Sequence, residues 1–313
     1  MIRKSLLFAV AASALTMPAL AHNAWFLPST TVLSDTQQSV TVDAGTSTAP
    51  FEANHNAMNI DNVKIWAPDG SMGTPENTAR SRYRSTFDVR IDKPGTWRIG
   101  MENTGISGSF KVDGEPWTVG RRRGPPPVAA TSAQSAPAAA VLASGTPPMG
   151  APGAGGPGAR PRIDPSHVVA SIDDIPANAT EIDLTETLSR NEFFVTAGAP
   201  SDALFQPRGK GLEFVPVTLP TDLVSNEAAQ FRFLVDGQPA AGLEVEVIPG
   251  GRRYRESDGT QKLVTDSDGV LTVNWPMPGM YWLNASITDA KPSNPKASKR
   301  RMGYTATLEV LAP

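Results

Sequence analysis

No cysteine occurs among the 313 residues. That absence excludes disulfide staples, thiolate metal ligands, thiol catalysis and structural cysteine zinc sites, so the folded parts rest on apolar cores alone. Histidine is scarce, with three residues: His22, His55 and His167. No segment after the N-terminal stretch approaches the roughly 18 apolar residues of a membrane-crossing helix, and the chain is expected not to span a membrane. The formal charge of −3 lacks the basic excess that nucleic-acid partners require, which argues against nucleic acid. There is no Gly-x-Ser-x-Gly elbow and no His-Glu-x-x-His pair, and the three histidines leave a serine triad without a supporting motif. The acidic pair Asp173-Asp174 has no neighbours that would set acid and base roles. The expectation is a protein that is not an enzyme.

What is present begins at the front. Residues 1–21 read as a secretory signal peptide: Arg3 and Lys4 are the basic start, Leu6 to Leu15 the apolar middle, and Ala19-Leu20-Ala21 the small-x-small cleavage site. The expected compartment is the periplasm. Cutting after Ala21 makes His22 the first mature residue, and losing Arg3 and Lys4 takes the charge to −5. A chain-starting histidine carries an α-amino nitrogen and an imidazole on one residue, a chelating pair suited to copper or nickel. His55, in Asn54-His55-Asn56, is the candidate that completes a three-nitrogen, T-shaped set. His167, next to the insert described below, reads as a surface residue.

From Arg121 to Arg162 the chain is mostly Pro, Gly and Ala, with five arginines and neither an acidic nor an aromatic residue. Such a segment buries too little apolar surface to offset ordering and is expected to be a disordered tether. Outside it, period-two alternation punctuated by Gly, Pro and Asp marks antiparallel strands. Val40–Asp43, Asn62–Trp66, Ser85–Ile91 and Thr96–Gly100 precede the insert. Glu181–Leu184, Asn191–Ala197 and Gly211–Leu219 follow it. From about Pro220, Ala229–Val235, Leu243–Ile248, Lys262–Thr265, Val270–Trp275, Met280–Ser286 and Tyr304–Leu311 form a second series. The expected fold is all-β, with two β-sandwich domains of immunoglobulin or transthyretin-like type. The first spans 22–219, with the insert 121–162 inside it as a hairpin excursion; the second spans 220–313.

Several motifs resemble the bacterial periplasmic family labelled domain of unknown function 4198. They are His22-Asn23-Ala24-Trp25-Phe26-Leu27-Pro28, Ala67-Pro68-Asp69-Gly70 and Gly211-Leu212-Glu213-Phe214-Val215-Pro216-Val217. Phe231 to Gly242, Ile248-Pro249-Gly250-Gly251, Thr265 to Gly269 and Pro278-Gly279-Met280-Tyr281-Trp282-Leu283 complete the set. The resemblance covers nearly all the mature chain except the insert. It implies an exported β-sandwich protein linked to nickel or cobalt uptake. Many members open with two histidines near the mature start; this chain has His22 alone there, with Asn23 next.

Other constellations read as structural. Asp266-Ser267-Asp268-Gly269 lacks the closing glutamate of a calcium loop, since position 277 is Met277, and is an aspartate-rich hairpin turn. Met58, Met72, Met277, Met280 and Met302 read as core fillers. Trp66, Trp97, Trp275 and Trp282 fall inside strands and are expected in cores, whereas Trp25 and Trp117 are candidates for exposure. Tyr281 resembles the corner tyrosine of sandwich folds. Gly250 to Arg255 is a basic patch with two readings, a solvated hairpin tip, which is favoured, and a contact for an anionic ligand such as a phosphate or carboxylate. The function expected is that of a periplasmic accessory protein assisting the binding or uptake of a transition-metal ion or its complex, with outer-membrane uptake machinery as partner. The alternative is a binding or adaptor module without metal, recognising a carbohydrate, a peptide or an outer-membrane receptor.

Overall fold

A computed structural model describes residues 23–120 and 164–313. The sites assigned to residues 1–22 and to the insert 121–162 therefore lie outside the described residues. Among the described residues, twenty strands and four short 3-10 turns make up the regular structure. The early strands are β1 Asn23–Pro28, β2 Val32–Leu33, β3 Gln38–Ser47, β4 Asn56–Ala57, β5 Lys64–Trp66, β6 Met72–Gly73, β7 Glu76–Arg80 and β8 Ser85–Ile91. Next come β9 Gly95–Val112, β10 Glu115–Val119, β11 Val168–Val169 and β12 Thr180–Ala197. The remainder are β13 Leu212–Pro216, β14 Ala228–Val235, β15 Gln238–Pro239, β16 Glu244–Pro249, β17 Gln261–Val264, β18 Val270–Asn274, β19 Gly279–Asp289 and β20 Lys299–Val310. The all-β expectation holds. Asn62–Trp66, Ser85–Ile91, Ala229–Val235, Leu243–Ile248, Lys262–Thr265 and Val270–Trp275 match observed strands within two residues at both ends. Val40–Asp43, Thr96–Gly100, Met280–Ser286 and, as far as Val310, Tyr304–Leu311 are parts of longer strands. Glu181–Leu184 and Asn191–Ala197 merge into the single strand β12.

The chain divides into two compact units. One comprises the residues up to Asn103 with Leu188–Ile287 and Met302–Pro313; the other comprises Thr104–Thr187 and Thr288–Arg301. The first unit holds two sandwich cores. In one, Phe26, Val40, Val42, Ala44, Phe87, Val89 and Ile91, from β1, β3 and β8, face Ile65, Trp97, Ile99, Phe193 and Val195, from β5, β9 and β12. In the other, Phe214, Phe231, Phe233, Leu271 and Val273, from β13, β14 and β18, face Phe194, Val247, Leu283, Met302, Tyr304 and Leu308. Each fully buried side chain of this size contributes about 1.5–3 kcal/mol. The second core thus takes Phe194, Leu212 and Phe214 from before Pro220.

Strand β12 explains how two cores coexist. Successive side chains on a strand point to opposite faces. Phe193 and Val195 enter one core while Phe194, between them, enters the other. The run Phe193–Ala197 is buried at every position, as in a strand covered on both faces.

In the second unit, a smaller core gathers Phe110, Val119, Leu184 and Ala297. Here β10 and β11 flank the excursion from Gly120 to Asp164. They pair in parallel, Thr118 opposite Val168 and Val119 opposite Val169, so the excursion is not the antiparallel hairpin expected from sequence.

Two sequence-level turns are confirmed in detail. The Asp266 carboxylate accepts the N–H groups of Asp268 at 2.9 Å and Val270 at 2.8 Å, which is the aspartate turn inferred above. Gly269 closes it at φ +73°, and a Cβ there would lie 2.4 Å from the Phe233 carbonyl oxygen. The Tyr281 hydroxyl donates to the Met277 carbonyl at 2.8 Å, four residues upstream, in the manner of a tyrosine corner. Gly269→Ala should therefore lower stability by about 2–4 kcal/mol in urea denaturation, from strained backbone and overpacking. A loss within the error of the wild-type measurement would contradict that packing.

Candidate functional site

The sequence pointed to His22 and His55; His22 lies outside the described residues, and local pairing places its neighbour Asn23 and the His55 loop at one end of β3. β1 runs antiparallel to β3 with Asn23 opposite Ser47 and Ala24 opposite Thr46. On the other edge of β3, Asn56 of β4 is also opposite Thr46, and Ala57 is opposite Gly45. Thr46 is therefore flanked by Ala24 and Asn56. Both flanking strands run the same way, so Asn23 and His55 are the next positions outward on each side. With strands about 4.8 Å apart, the two positions are separated by about 10 Å across β3. His55 is exposed on the loop that enters β4.

Aromatic packing holds this end in place. Trp25, expected to be exposed, is 1% exposed. The reason is that β1 is covered on both faces: Phe26 enters the core, while Trp25 turns the other way against Phe51, edge-on at 6.0 Å between ring centroids. Its Nε1–H donates to Ser47 Oγ at 2.7 Å. Gly45 leaves the room for that ring, since a Cβ there would meet Trp25 at 2.7 Å. From β19, Trp282 Nε1–H donates to the Ala24 carbonyl at 3.0 Å. The loop between β3 and β4 is braced by Glu52, whose Oε1 lies 3.8 Å from Arg253 Nε and accepts no hydrogen bond. Glu52, three residues before His55, is a carboxylate that sequence reasoning missed; only its burial and its spare oxygen distinguish it.

Other candidates resolve differently. Trp117 is half-buried, stacked on His167 at 4.5 Å and on Phe110 at 6.1 Å. His167 is thus a half-buried ring partner rather than a free surface residue. Trp97, Trp275 and Trp282 are core residues as expected, and Trp66 is half-buried beneath Arg98, whose guanidinium lies 3.9 Å from its ring centroid. Of the five methionines read as core fillers, Met302 is fully buried, whereas Met72 and Met277 are 56% and 44% exposed. Among the described residues, no three His, Asp or Glu side chains are grouped closely enough to hold a metal ion.

A separate ionic cluster occupies the interior of the first unit. Arg98 and Glu192 lie 3.9 Å apart at about 5% side-chain exposure, and Tyr304 Oη–H donates to Glu192 at 2.9 Å. Glu102 draws Arg98, Arg190, Arg208 and Lys64 within 3.8 Å. Glu213 accepts the backbone N–H groups of Arg208 and Gly209. The cavity among these groups measures about 10 Å3, room for one water at most, so the cluster is structural. Burial pushes the Glu192 carboxyl above its ordinary 4.5, against the pull of Arg98 and Arg190.

In class, then, this is an all-β protein with two sandwich cores in one unit and its sequence-marked histidine region at one end of β3. The chain belongs to the family described as "Domain of unknown function (DUF4198)", whose model matches residues 19–289. Solved structures with some likeness include the D0-D1 domain of Intimin, at 12% identity over 91% of this chain and 97% of that one, TM-score 0.18. Another is Escherichia coli alpha-2-macroglobulin activated by porcine elastase, at 11% identity over 91% of this chain and 31% of that one, TM-score 0.19. At these TM-scores the likeness carries no argument. No curated protein matches the chain.

The raised Glu192 pKa has a signed consequence. The folded state keeps a proton that the unfolded chain releases above 4.5, so this group's contribution is full below that pH and is lost as pH rises through the folded value. Glu192→Gln cannot ionise and still accepts from Tyr304. The stability of wild type relative to Glu192→Gln, read from urea denaturation at pH 4.5 and 8, should fall as pH rises; a constant or rising difference would contradict the assignment.

Proposed function

We propose that this protein is a periplasmic accessory protein that binds a transition-metal ion, or its complex, at the mature chain start and assists its uptake. Residues 1–21 act as the export signal in this reading, and His22 supplies the α-amino and imidazole nitrogens. The observation that carries the reading is the shared rung of β3. Asn23, one peptide link from His22, and His55 flank the same strand end about 10 Å apart. Consecutive Cα atoms are about 3.8 Å apart, so two imidazoles extended from positions 22 and 55 have the reach to share one ion. Nitrogen donors in this number suit copper(II) or nickel(II). Glu52, three residues before His55, is the nearest carboxylate in sequence; its Oε1 accepts no hydrogen bond but lies 3.8 Å from Arg253 Nε.

The amine must lose its proton to bind, so affinity falls as pH drops below about 7. Isothermal titration of the processed chain with copper(II) and nickel(II) tests this reading. His22→Ala should weaken binding at least tenfold, about 1.4 kcal/mol, and His55→Ala should weaken it by a smaller factor. Equal binding by wild type and His22→Ala would remove the site.

A further inference from the structure

The loop from Gly250 to Thr260 joins β16 to β17 and lies over the turn between β18 and β19. Between them opens a cavity of about 220 Å3, walled by Pro249, Gly250, Tyr254, Arg255, Met277 and Met280. Two of its walls are apolar surface left in water: Tyr254 is 83% exposed and Met277 is 44% exposed. An isolated exposed apolar residue needs no explanation, but an aromatic ring and a thioether facing one cavity form a binding wall.

The third wall is a cation with an incomplete set of partners. Arg255 is half-buried. It donates to the carbonyl oxygens of Gly250 at 2.6 Å, Pro249 at 2.8 Å and Asp258 at 2.9 Å. Its Nε–H has no acceptor. The other charges near it are committed or exposed. Glu52 pairs with Arg253, and Asp258 spends one carboxylate oxygen on the Thr260 N–H. Glu256 is exposed on the same loop, and Arg252 donates to the Arg255 carbonyl. Among the described residues, no carboxylate lies within 4.0 Å of the Arg255 guanidinium. The Asp258 carboxylate feels the Arg255 charge without pairing to it; carbonyl dipoles hold the guanidinium's geometry, and a partly desolvated guanidinium is stabilised by an anion presented to it.

We propose that this cavity binds a small organic anion, its carboxylate toward Arg255 and its apolar body between Tyr254 and Met277. The volume lies below the roughly 300–1,000 Å3 of drug-sized ligand sites, which fits a molecule the size of an amino acid or an aromatic acid. A tyrosine ring supplies flat stacking surface and methionine adapts to irregular apolar shapes, so the site selects charge more sharply than outline. The proposal is independent of metal binding at the chain start, because none of its wall residues is among the metal candidates.

The test uses the full processed chain, titrated calorimetrically and by NMR with benzoate, hexanoate and succinate, and with benzamide as the uncharged analogue of benzoate. At least one of these acids should bind saturably, with benzoate at least tenfold tighter than benzamide, and 500 mM salt should weaken it through screening. Tyr254→Ala removes a ring that is 83% exposed and Met277→Ala a side chain that is 44% exposed, and among the described residues neither side chain makes a hydrogen bond that holds the loop. Each should keep the wild-type melting temperature and lose at least fivefold in affinity. Arg255→Gln should abolish binding; because it also removes the loop's internal bonds, the two surface variants carry the decision. No saturable binding by any of the three acids up to about 10 mM, equal binding of acid and amide, or unchanged affinity in Tyr254→Ala would overturn the proposal.

Discussion

Strand β12 is the constraint on which the larger unit depends. Its residues 193 to 197 have no solvent face, because one core claims Phe193, Val195 and Ala197 and the other claims Phe194. A single-residue slip along β12 would exchange the occupants of both cores at once, so the register is doubly specified. Burial on both sides also brings polar groups inward at the ends of the run. Glu192 meets Arg98 and Tyr304, and Thr196 bonds to Thr96 and Thr221. These pairings follow from the requirement that buried polar groups find partners.

The same framework fixes β1. β1 pairs along one edge of β3, and side chains distant in sequence reach it. Thr307 Oγ1–H donates to the Phe26 carbonyl at 2.6 Å, and Trp282 Nε1–H donates to the Ala24 carbonyl. Just beyond β1, the Thr31 N–H donates to Glu309 at 2.6 Å. Asn23 is thereby held at a defined rung opposite Ser47. The proposed chelate depends on that register of Asn23 and on the His55 loop beside it.

Much of the fold was legible because period-two alternation is local. The alternation within Leu243–Ile248 puts Leu243, Val245 and Val247 on one face, and all three are buried. The Asp266 turn and the Tyr281 corner were legible because their bonds close within four residues. What failed to show was long-range. Trp25 reads as exposed near a chain end, and only the crossing of Phe51 and the gap at Gly45 bury it. The parallel pairing of β10 with β11 depends on a return across more than forty residues, for which strand alternation gives no direction. Glu52 carries no motif; Tyr254 and Arg255 were legible as part of the basic Gly250–Arg255 tip, but the cavity beside them emerges only from which loops the sheets bring together. For the metal candidates, sequence supplied the residue types, and the structure supplies the register of Asn23 and Asn56 on β3.

The most direct test of the central claim is pulsed electron paramagnetic resonance on the processed chain loaded with one equivalent of copper(II). Two imidazole nitrogens and the amine should couple to the ion, and His55→Ala should remove one imidazole coupling. A single imidazole coupling, unchanged in His55→Ala, would contradict the shared site across β3.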